Sequence, residues 1–267
     1  MVKYIVSVSG GAGSTLAAHK TAERVGIDNV DLVFADTNSE DKSLYQLLLQ
    51  MSKNLKPIVW LNKNLSIWDL FDKEGIIRTP KRGACKASLE LKQKPIAQWV
   101  TDNFDPKNAI IISGLDWTEE TRIERFNLRW KPYKTWHPMR QYKMALCDMK
   151  TELKRLGYPV QELYEKEYPH NNCGGGCVLA GLAQWAGLKK DFPERFKYHK
   201  EREKQFNIKH NNNFTVLRDQ SGKTVKPISL EIFEKRLLKN SINLRDFRTG
   251  CGCMLGEQLT LIDLIGT

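Results

Sequence analysis

The first 25 residues place a short apolar strand directly before a glycine-rich turn and a helix. Tyr4 to Val8 form the strand, residues 9–15 read Ser-Gly-Gly-Ala-Gly-Ser-Thr, and Leu16 to Glu23 have the composition of a helix. Backbone N–H groups at such a turn converge on one point, and the helix dipole adds positive potential there. Glycines also let the backbone approach an anion closely. The segment therefore predicts a site for the phosphates of a nucleotide.

The turn differs from two common phosphate-binding motifs. No lysine follows a glycine at the spacing of the kinase-type loop, and Leu16 stands where the dinucleotide fingerprint has its third glycine. The remaining pattern is Ser-Gly-Gly-x-x-Ser, and the alternative reading is a turn that only joins a strand to a helix. The predicted phosphate-contacting residues are Ser9, Gly10, Gly11, Gly13, Ser14 and Thr15.

Four short apolar runs alternate with helix-like segments in the first half of the chain. The runs cover residues 4–8, 30–35, 57–61 and 109–113, and the helical segments cover residues 15–25, 41–53 and 88–103. This alternation predicts an α/β fold, with a parallel twisted sheet and helices on both of its faces. Ligands of such folds bind at the carboxyl ends of the strands.

The pattern changes beyond residue 132. Helices are expected at 139–156, 178–188, 194–205 and 230–240, and residues 215–230 read as a hairpin that turns at 220–223. The sequence thus predicts a nucleotide-binding α/β domain over residues 1–170. A mainly helical extension that carries cysteine pairs and the hairpin is expected over residues 171–267.

Polar residues follow two of the predicted strands. Asp36 and Thr37 follow the second strand, where an acid commonly accepts a hydrogen bond from a ribose or base; the alternative role is a helix cap. Gly114 follows the fourth strand, and Glu120, Arg122 and Arg125 fall in the first turns of the next helix. Arginines bind phosphate or sulfate bidentately, although pairs such as Glu119 with Arg122 could equally lie on an exposed helix face.

Six cysteines occur, and four of them form close pairs. Cys173 and Cys177 are separated by three glycines, and Cys251 and Cys253 by one. Structural disulfides are not expected in a cytosolic chain, so the pairs indicate a metal, a cluster or redox chemistry. Cys147 has apolar neighbours and is expected in the core, whereas His170 is expected at the surface.

Charge and hydropathy restrict the partners. The net charge is +11 and the pI is about 9.3, which favours polyanions such as nucleic acid. No apolar stretch reaches the roughly 20 residues that cross a bilayer, so no membrane partner is expected. The start of the chain enters a strand and not a signal-peptide core, which predicts a cytoplasmic protein.

The ordered set of motifs resembles the phosphoadenosine phosphosulfate (PAPS) reductase family of the PP-loop, or adenine nucleotide alpha-hydrolase-like, superfamily. The matching motifs are the loop at 9–14, Asp36-Thr37, Cys85 with the following lysines, the segment 114–125, and Tyr158-Pro159 through Leu163-Tyr164 to Cys173 and Cys177. The resemblance covers residues 1–180.

The resemblance implies an adenine nucleotide bound across the loop, with its adenosine end near Asp36. It also implies that Ser14, Glu120, Arg122 and Arg125 form the catalytic set. Some relatives hold an iron–sulfur cluster on cysteines at the positions of Cys85, Cys173 and Cys177. In this chain a four-thiolate site could use Cys173, Cys177, Cys251 and Cys253, or Cys85, Cys173, Cys177 and one of the last pair. A 4Fe-4S cluster is the favoured occupant, and zinc is the alternative. Others use ATP with Mg²⁺ to activate tRNA or DNA before sulfur transfer from a sulfur donor.

Three functions stay open at this point. The first is an ATP pyrophosphatase that adenylates an acceptor for sulfur transfer, and the second is a PAPS or adenylyl-sulfate reductase that uses a thiol reductant. The third is a nucleotide- or nucleic-acid-binding module without catalysis, which is favoured by Gly13 at a position where many PP-loops carry an acid. Release of AMP and pyrophosphate from ATP distinguishes the first function from the third.

Overall fold

The computed structural model describes residues 1–79, 84–219, 224–239 and 241. A five-stranded sheet lies at its centre and consists of β1 (Lys3–Ser7), β2 (Val30–Asp36), β3 (Ile58–Asn62), β4 (Ala109–Ile112) and β5 (Lys134–Trp136). The strands lie in the order β3-β2-β1-β4-β5, and every neighbouring pair is parallel. The predicted α/β class with a parallel sheet is therefore confirmed.

The strand order places a crevice next to the glycine-rich turn. The chain builds the sheet outward from β1 to β3 and then returns to the other side of β1 with β4. Tyr4 of β1 therefore pairs with Val30 of β2, while Ile5 pairs with Ile111 of β4. The connections after β1 and β4 leave on opposite faces, and this switch point is where open α/β sheets bind ligands.

Eleven helices surround the sheet within the described residues. They are α1 (Ala12–Val25), α2 (Lys42–Asn54), α3 (Ile67–Glu74), α4 (Lys94–Asn103), α5 (Glu120–Arg129), α6 (Met139–Tyr142), α7 (Leu146–Arg155), α8 (Glu162–Glu165), α9 (Leu182–Asp191), α10 (Pro193–His210) and α11 (Leu230–Leu238). Apolar residues of α1, α2 and α7 pack on the sheet face that carries Val6 and Leu32. Those of α4 and α5 pack on the opposite face, which carries Ile5 and Val33.

The alternation of side chains along β1 and β2 explains why both faces are covered. Neighbouring residues of a strand point to opposite faces, and both faces of β2 are apolar, since Leu32, Val33 and Phe34 are all buried. Strands that are buried on both faces have nearly continuous apolar sequences. The sheet therefore needs helices on each side.

A third apolar cluster joins α3 to the C-terminal part of the chain. It contains Trp68 and Phe71 of α3, Trp185 of α9, Phe196 of α10 and Phe233 of α11. The indole N–H of Trp68 donates a 2.9 Å hydrogen bond to Nδ1 of His199, which is itself buried. The predicted hairpin forms from β6 (Leu217–Asp219) and β7 (Lys226–Ile228), while its turn at 220–223 lies outside the described residues.

Several element boundaries differ from the sequence prediction. Strand β5 and helix α3 were not predicted, and the helix expected at 139–156 is two helices, because Lys143 adopts a left-handed conformation with φ 46°. The helix expected at 178–188 begins only at Leu182. The segment Ser88–Gln93 is a π-helical turn that continues into α4.

A buried carboxylate holds the C-terminal elements together. Glu203 of α10 is 3% exposed, and its two oxygens accept hydrogen bonds of 2.7 Å from the backbone N–H groups of Val216 and Leu230. Burial raises the pKa of this carboxyl group, whereas the two N–H donors lower it. Glu203 therefore fixes the segment before β6 and the start of α11 against α10.

We predict that Glu203→Ala lowers the free energy of unfolding by about 2–4 kcal/mol, because two buried N–H donors lose their acceptor. The exposed Glu201 on the same helix provides the control, and Glu201→Ala should change the free energy by less than about 0.5 kcal/mol. Urea denaturation measures both. Equal effects of the two substitutions would contradict this role of Glu203.

Candidate functional site

The loop after β1 is shaped by its own hydroxyl groups. The Ser14 hydroxyl donates to the Gly11 carbonyl at 3.0 Å and accepts from the Ser9 N–H at 3.1 Å. The Thr15 hydroxyl also donates to the Gly11 carbonyl at 3.0 Å. These bonds close the turn around the start of α1, so Ser14 and Thr15 hold the loop in shape.

The N-terminus of α1 has no counter-charge of its own. Gly11 is the N-cap, no side chain caps the helix, and its first turn contains no acidic residue. The first N–H groups of a helix have no partners within the helix and carry its positive dipole end. Ser9 is exposed, and Gly11 and Gly13 are half-buried, so solvent reaches this end of the helix.

Two buried residues that are distant in sequence, Leu44 and Gln161, pack against the glycine-rich loop. Gly10 has a φ of +73°, and a Cβ atom there would lie 2.5 Å from Cγ of Leu44. The Gln161 amide, which is 1% exposed, donates a hydrogen bond to the Gly10 carbonyl. The role of Gln161 was not predicted, because nothing in its neighbourhood in the sequence indicates a contact with Gly10, 151 residues away.

The ends of β1 and β4 meet through backbone atoms. A Cβ atom at Gly13 would lie 2.5 Å from the Gly114 carbonyl oxygen, and one at Gly114 would lie 2.3 Å from the Ser14 nitrogen. The structure therefore brings together two groups that the sequence placed in one site, namely the loop at 9–15 and Gly114. Their meeting point is the crevice at the switch point of the sheet.

A hydrogen-bonded chain fixes the backbone beside Gly114. The hydroxyl of Ser113 is 2.6 Å from Nδ1 of His137, and Nε2 of His137 is 2.7 Å from Oδ1 of Asn127. The Leu115 N–H also donates to the Ser113 hydroxyl at 3.3 Å. Burial, with a further contribution from Arg140, lowers the pKa of His137 to about 4. The imidazole is thus neutral at pH 7, accepting from Ser113 at Nδ1 and donating from Nε2.

The charged residues of α5 have different surroundings. Arg122 forms an ion pair with Glu119, so the pairing that the sequence left open is present, although Nε of Arg122 is buried without a hydrogen-bond partner. Glu120 pairs with Arg140 at 2.8 Å on the surface. Arg125 is half-buried and makes no ion pair with any described residue.

Asp36 and Thr37 are engaged inside the fold. Asp36 is 7% exposed, and its Oδ1 accepts hydrogen bonds of 2.8 Å from the Asn38 N–H and from the Tyr45 hydroxyl. Thr37 is buried and donates to Glu40. Neither residue caps α2, since Asp41 accepts from the Ser43 N–H in that role. Contact between Asp36 or Thr37 and a nucleotide stays a prediction.

Glu40 links the end of β2 to the first cysteine pair. Its side chain is 1% exposed, and Oε1 accepts from Lys92 at 2.7 Å. Its Oε2 accepts from the Cys173 N–H at 2.8 Å. The lysines after Cys85 are therefore paired with acids, since Lys86 and Lys94 also pair with Glu90.

The described cysteines lie mostly in the interior. Cys85 and Cys177 are buried, Cys173 is half-buried, and burial raises the pKa of the Cys85 thiol. Cys251 and Cys253 lie outside the described residues. Cys147 is exposed, so its predicted core position was wrong, because it falls on the outer face of α7.

The structure does not complete the predicted metal site. Within the described part of the chain, no three His, Cys, Asp or Glu side chains are placed to hold a metal ion. Cys85, Cys173 and Cys177 thus do not form a 4Fe-4S or zinc site on their own. A site that uses Cys251 or Cys253 as well stays a prediction.

His170 is buried, which corrects its expected surface position. Its Nδ1 atom and the amide nitrogen of the neighbouring Asn171 are buried without hydrogen-bond partners. Burial and the charge of Lys92 lower the pKa of His170 to about 4, against the opposing effect of Glu40. His170 therefore adds an uncharged ring beside the Glu40–Lys92 pair.

Comparisons with known proteins give a fold likeness only. No protein-family model and no curated protein matches this chain. Among solved structures, the chain is similar to a phosphoadenylyl-sulfate (PAPS) reductase from Candida auris in a phosphate complex, with 12% identity and a TM-score of 0.44. The match covers 64% of this chain and 81% of that chain. The assignment of the site therefore rests on the geometry of this chain.

None of the described helices combines the length and the apolar character that a transmembrane span needs.

We predict that Gly13→Ala destabilises the fold, because the new methyl group meets the Gly114 carbonyl. Overpacking of this kind costs about 1–3 kcal/mol of unfolding free energy. Gly11→Ala is the matched control, since its Cβ atom would make only ordinary contacts at 3.5 Å and beyond. Thermal and urea denaturation measure both variants. A Gly13→Ala protein as stable as Gly11→Ala would contradict the close contact.

We also predict a loss of stability in mild acid. Burial lowers the pKa values of His137, His170 and His199 to about 4 in the folded chain, whereas the unfolded chain takes up these protons near pH 6.5. Stability is thus complete above pH 6.5 and falls as the pH is lowered towards 4. Each histidine contributes a loss of roughly 2 kcal/mol between pH 7 and pH 5.

Urea denaturation at pH 7 and at pH 5 tests this expectation. His199→Asn keeps a hydrogen-bond acceptor near the Trp68 indole but removes one titrating group, so this variant should lose about a third less stability between the two pH values. An unfolding free energy that is the same at pH 7 and pH 5 in the wild-type chain would contradict the expected loss.

Proposed function

We propose that this chain binds an adenine nucleotide with its phosphates at the N-terminus of α1, in the crevice that the loop at 9–15 and Gly114 line together. The single observation that carries the proposal is the direct backbone contact of these two segments at the switch point of the sheet. The uncapped N-terminus of α1 points N–H groups at this crevice, and a phosphate group is the ligand that such an end favours.

The proposed reaction is ATP cleavage between the α and β phosphates. An acceptor oxygen attacks the α-phosphorus, the bond to the bridging oxygen breaks, and pyrophosphate leaves. A hydrosulfide or thiolate donor can then displace AMP from the adenylated acceptor, so that no net oxidation occurs. Backbone N–H groups of the loop would stabilise the charge that develops on the phosphoryl oxygens. We expect Mg²⁺ to enter with ATP, on the phosphate oxygens.

We expect arginines of α5 to contribute positive charge to the anion site. Arg125 makes no ion pair with a described residue, so its charge is available to a phosphate. Arg122 also lies at the start of α5 but shares its charge with Glu119. A phosphate that bound Arg122 would have to compete with this carboxylate. Separate substitutions of Arg122 and of Glu119 therefore test the site directly.

Two observations bear on the other functions. Reduction of an adenylyl sulfate by Cys85 is disfavoured, because the thiol is buried and its raised pKa keeps it protonated. A binding module without catalysis is supported by Gly13, whose contact with Gly114 leaves no space for an acidic side chain at that position. Binding of ATP without turnover would identify the chain as this binding module.

We predict that Arg122→Ala and Glu119→Gln change ATP affinity in opposite directions. Loss of the arginine should weaken binding about tenfold or more, since a charge-assisted hydrogen bond contributes about 1.5–3 kcal/mol. Removal of the competing carboxylate should strengthen binding severalfold. Calorimetric titration with Mg·ATP measures both, and Arg155→Ala on the surface of α7 is the control.

The same titration with Gly11→Val tests the loop itself. A branched side chain at this half-buried position should obstruct the approach of a phosphate and abolish measurable binding. Turnover is followed as AMP and pyrophosphate, with and without an added polyanion. ATP affinity that is unchanged in Gly11→Val and in both α5 variants would overturn the proposed site.

A further inference from the structure

An exposed aromatic side chain lies on the outer strand of the sheet. Strand β3 pairs only with β2, so it is an edge strand. Trp60 in its centre is 39% exposed, and its neighbour Val59 is 37% exposed. The described residues therefore leave more than a third of each side chain uncovered.

The indole of Trp60 is held in one orientation by two other rings. Tyr45 of α2 stacks against it with centroids 6.2 Å apart and an interplanar angle of 20°. Phe34 of β2 meets it edge-on at 4.9 Å. Tyr45 is fixed in turn by the 2.8 Å hydrogen bond from its hydroxyl to Asp36. Trp60 is therefore a preorganised indole, and its open side is the part of the residue, 39%, that stays exposed.

Lysines are the only charged residues of the chain segment that forms this surface, and the neighbouring acids Asp36 and Asp31 are engaged by Tyr45 and Lys56. Residues 42–68, which include α2 and β3, contain four lysines, namely Lys42, Lys53, Lys56 and Lys63, and no acidic residue. Lys56 and Lys63 flank β3, and Lys42 lies one helical turn before Tyr45 on α2. Lys42, Lys53 and Lys63 are exposed, whereas Lys56 pairs with Asp31.

We propose that this α2–β3 surface, formed by Trp60, Tyr45, Lys42, Lys53 and Lys63, binds single-stranded nucleic acid. A base would stack on the open side of Trp60, while the lysines contact the phosphates on either side. Aromatic side chains within a basic surface are the common arrangement for strands without paired bases, because every base has a face that can stack. A duplex hides those faces between its own base pairs.

The charge of the surface disfavours a second copy of the chain as its occupant. In a symmetric dimer the same patch would face itself, so the lysines of both copies would oppose one another without an acid between them. Binding to a polyanion removes this repulsion and releases counterions. The binding itself does not depend on the nucleotide site. The view that the bound strand is the adenylated acceptor rests on the proposed function.

The first test is fluorescence anisotropy of a labelled twelve-nucleotide single strand, as RNA and as DNA, with the whole chain. We expect Trp60→Ala to weaken binding by roughly 5- to 150-fold, which corresponds to the loss of one stacked base at about 1–3 kcal/mol. Trp60→Phe should retain most of the affinity, since a smaller ring still stacks. Tyr198→Ala, which removes an exposed aromatic ring from α10, should bind as the wild-type chain does.

The second test concerns the charges. Lys63→Glu should weaken binding and reduce the slope of log affinity against log salt concentration by about 0.7 for each lost phosphate contact, or by more. Lys107→Glu is the control, because this exposed lysine lies before β4 at the opposite end of the sheet. Thermal denaturation confirms that each variant is folded, and Mg·ATP affinity should be the same in all of them.

Several outcomes would overturn the proposal. The first is an affinity for the single strand that is the same in Trp60→Ala and in Tyr198→Ala. The second is an affinity for duplex that equals the affinity for the single strand and does not change in Trp60→Ala. A change from dimer to monomer in Trp60→Ala, measured by light scattering, would assign the surface to self-association. Loss of ATP binding with intact strand binding would contradict only the proposed function.

Discussion

The contact between Gly13 and Gly114 determines how the rest of the site is built. Because neither residue has a side chain, the first turn of α1 lies directly against the backbone that leaves β4. The two loops at the switch point of the sheet thus share one crevice wall. A larger residue at either position would separate the helix terminus from β4. It would also move the Ser113–His137–Asn127 chain, which holds the same backbone from its other side.

The parts of the molecule that the sequence predicted well are local. The strand, turn and helix at 4–25 follow from apolar periodicity and glycine spacing, and their meeting with Gly114 follows from the rule for parallel sheets. Strand β5 was missed because it has only three residues, and its pairing with β4 cannot be seen in its own composition. Gln161 was missed because its hydrogen-bond partner, Gly10, is distant in sequence.

Composition alone does not predict which charged side chains are available to a ligand. The chain has a net charge of +11, but individual cations differ in how much of their charge remains available. Arg122 is paired within its own helix turn, and Lys92 is paired with the buried Glu40. The lysines between residues 42 and 68 have no acid within their own segment. The positive charge that a given surface offers therefore depends on local pairing, which a total charge cannot reveal.

Glu40 connects three segments of the chain that are distant in sequence. This single carboxylate joins the residue after Asp36, the lysine of the π-helical turn and the amide of Cys173. If the turn that carries Cys173 moved away, the buried Glu40 carboxylate would lose one of its hydrogen-bond donors, which is costly. The backbone at Cys173 is therefore tied through one carboxylate to Thr37, at the carboxyl end of β2.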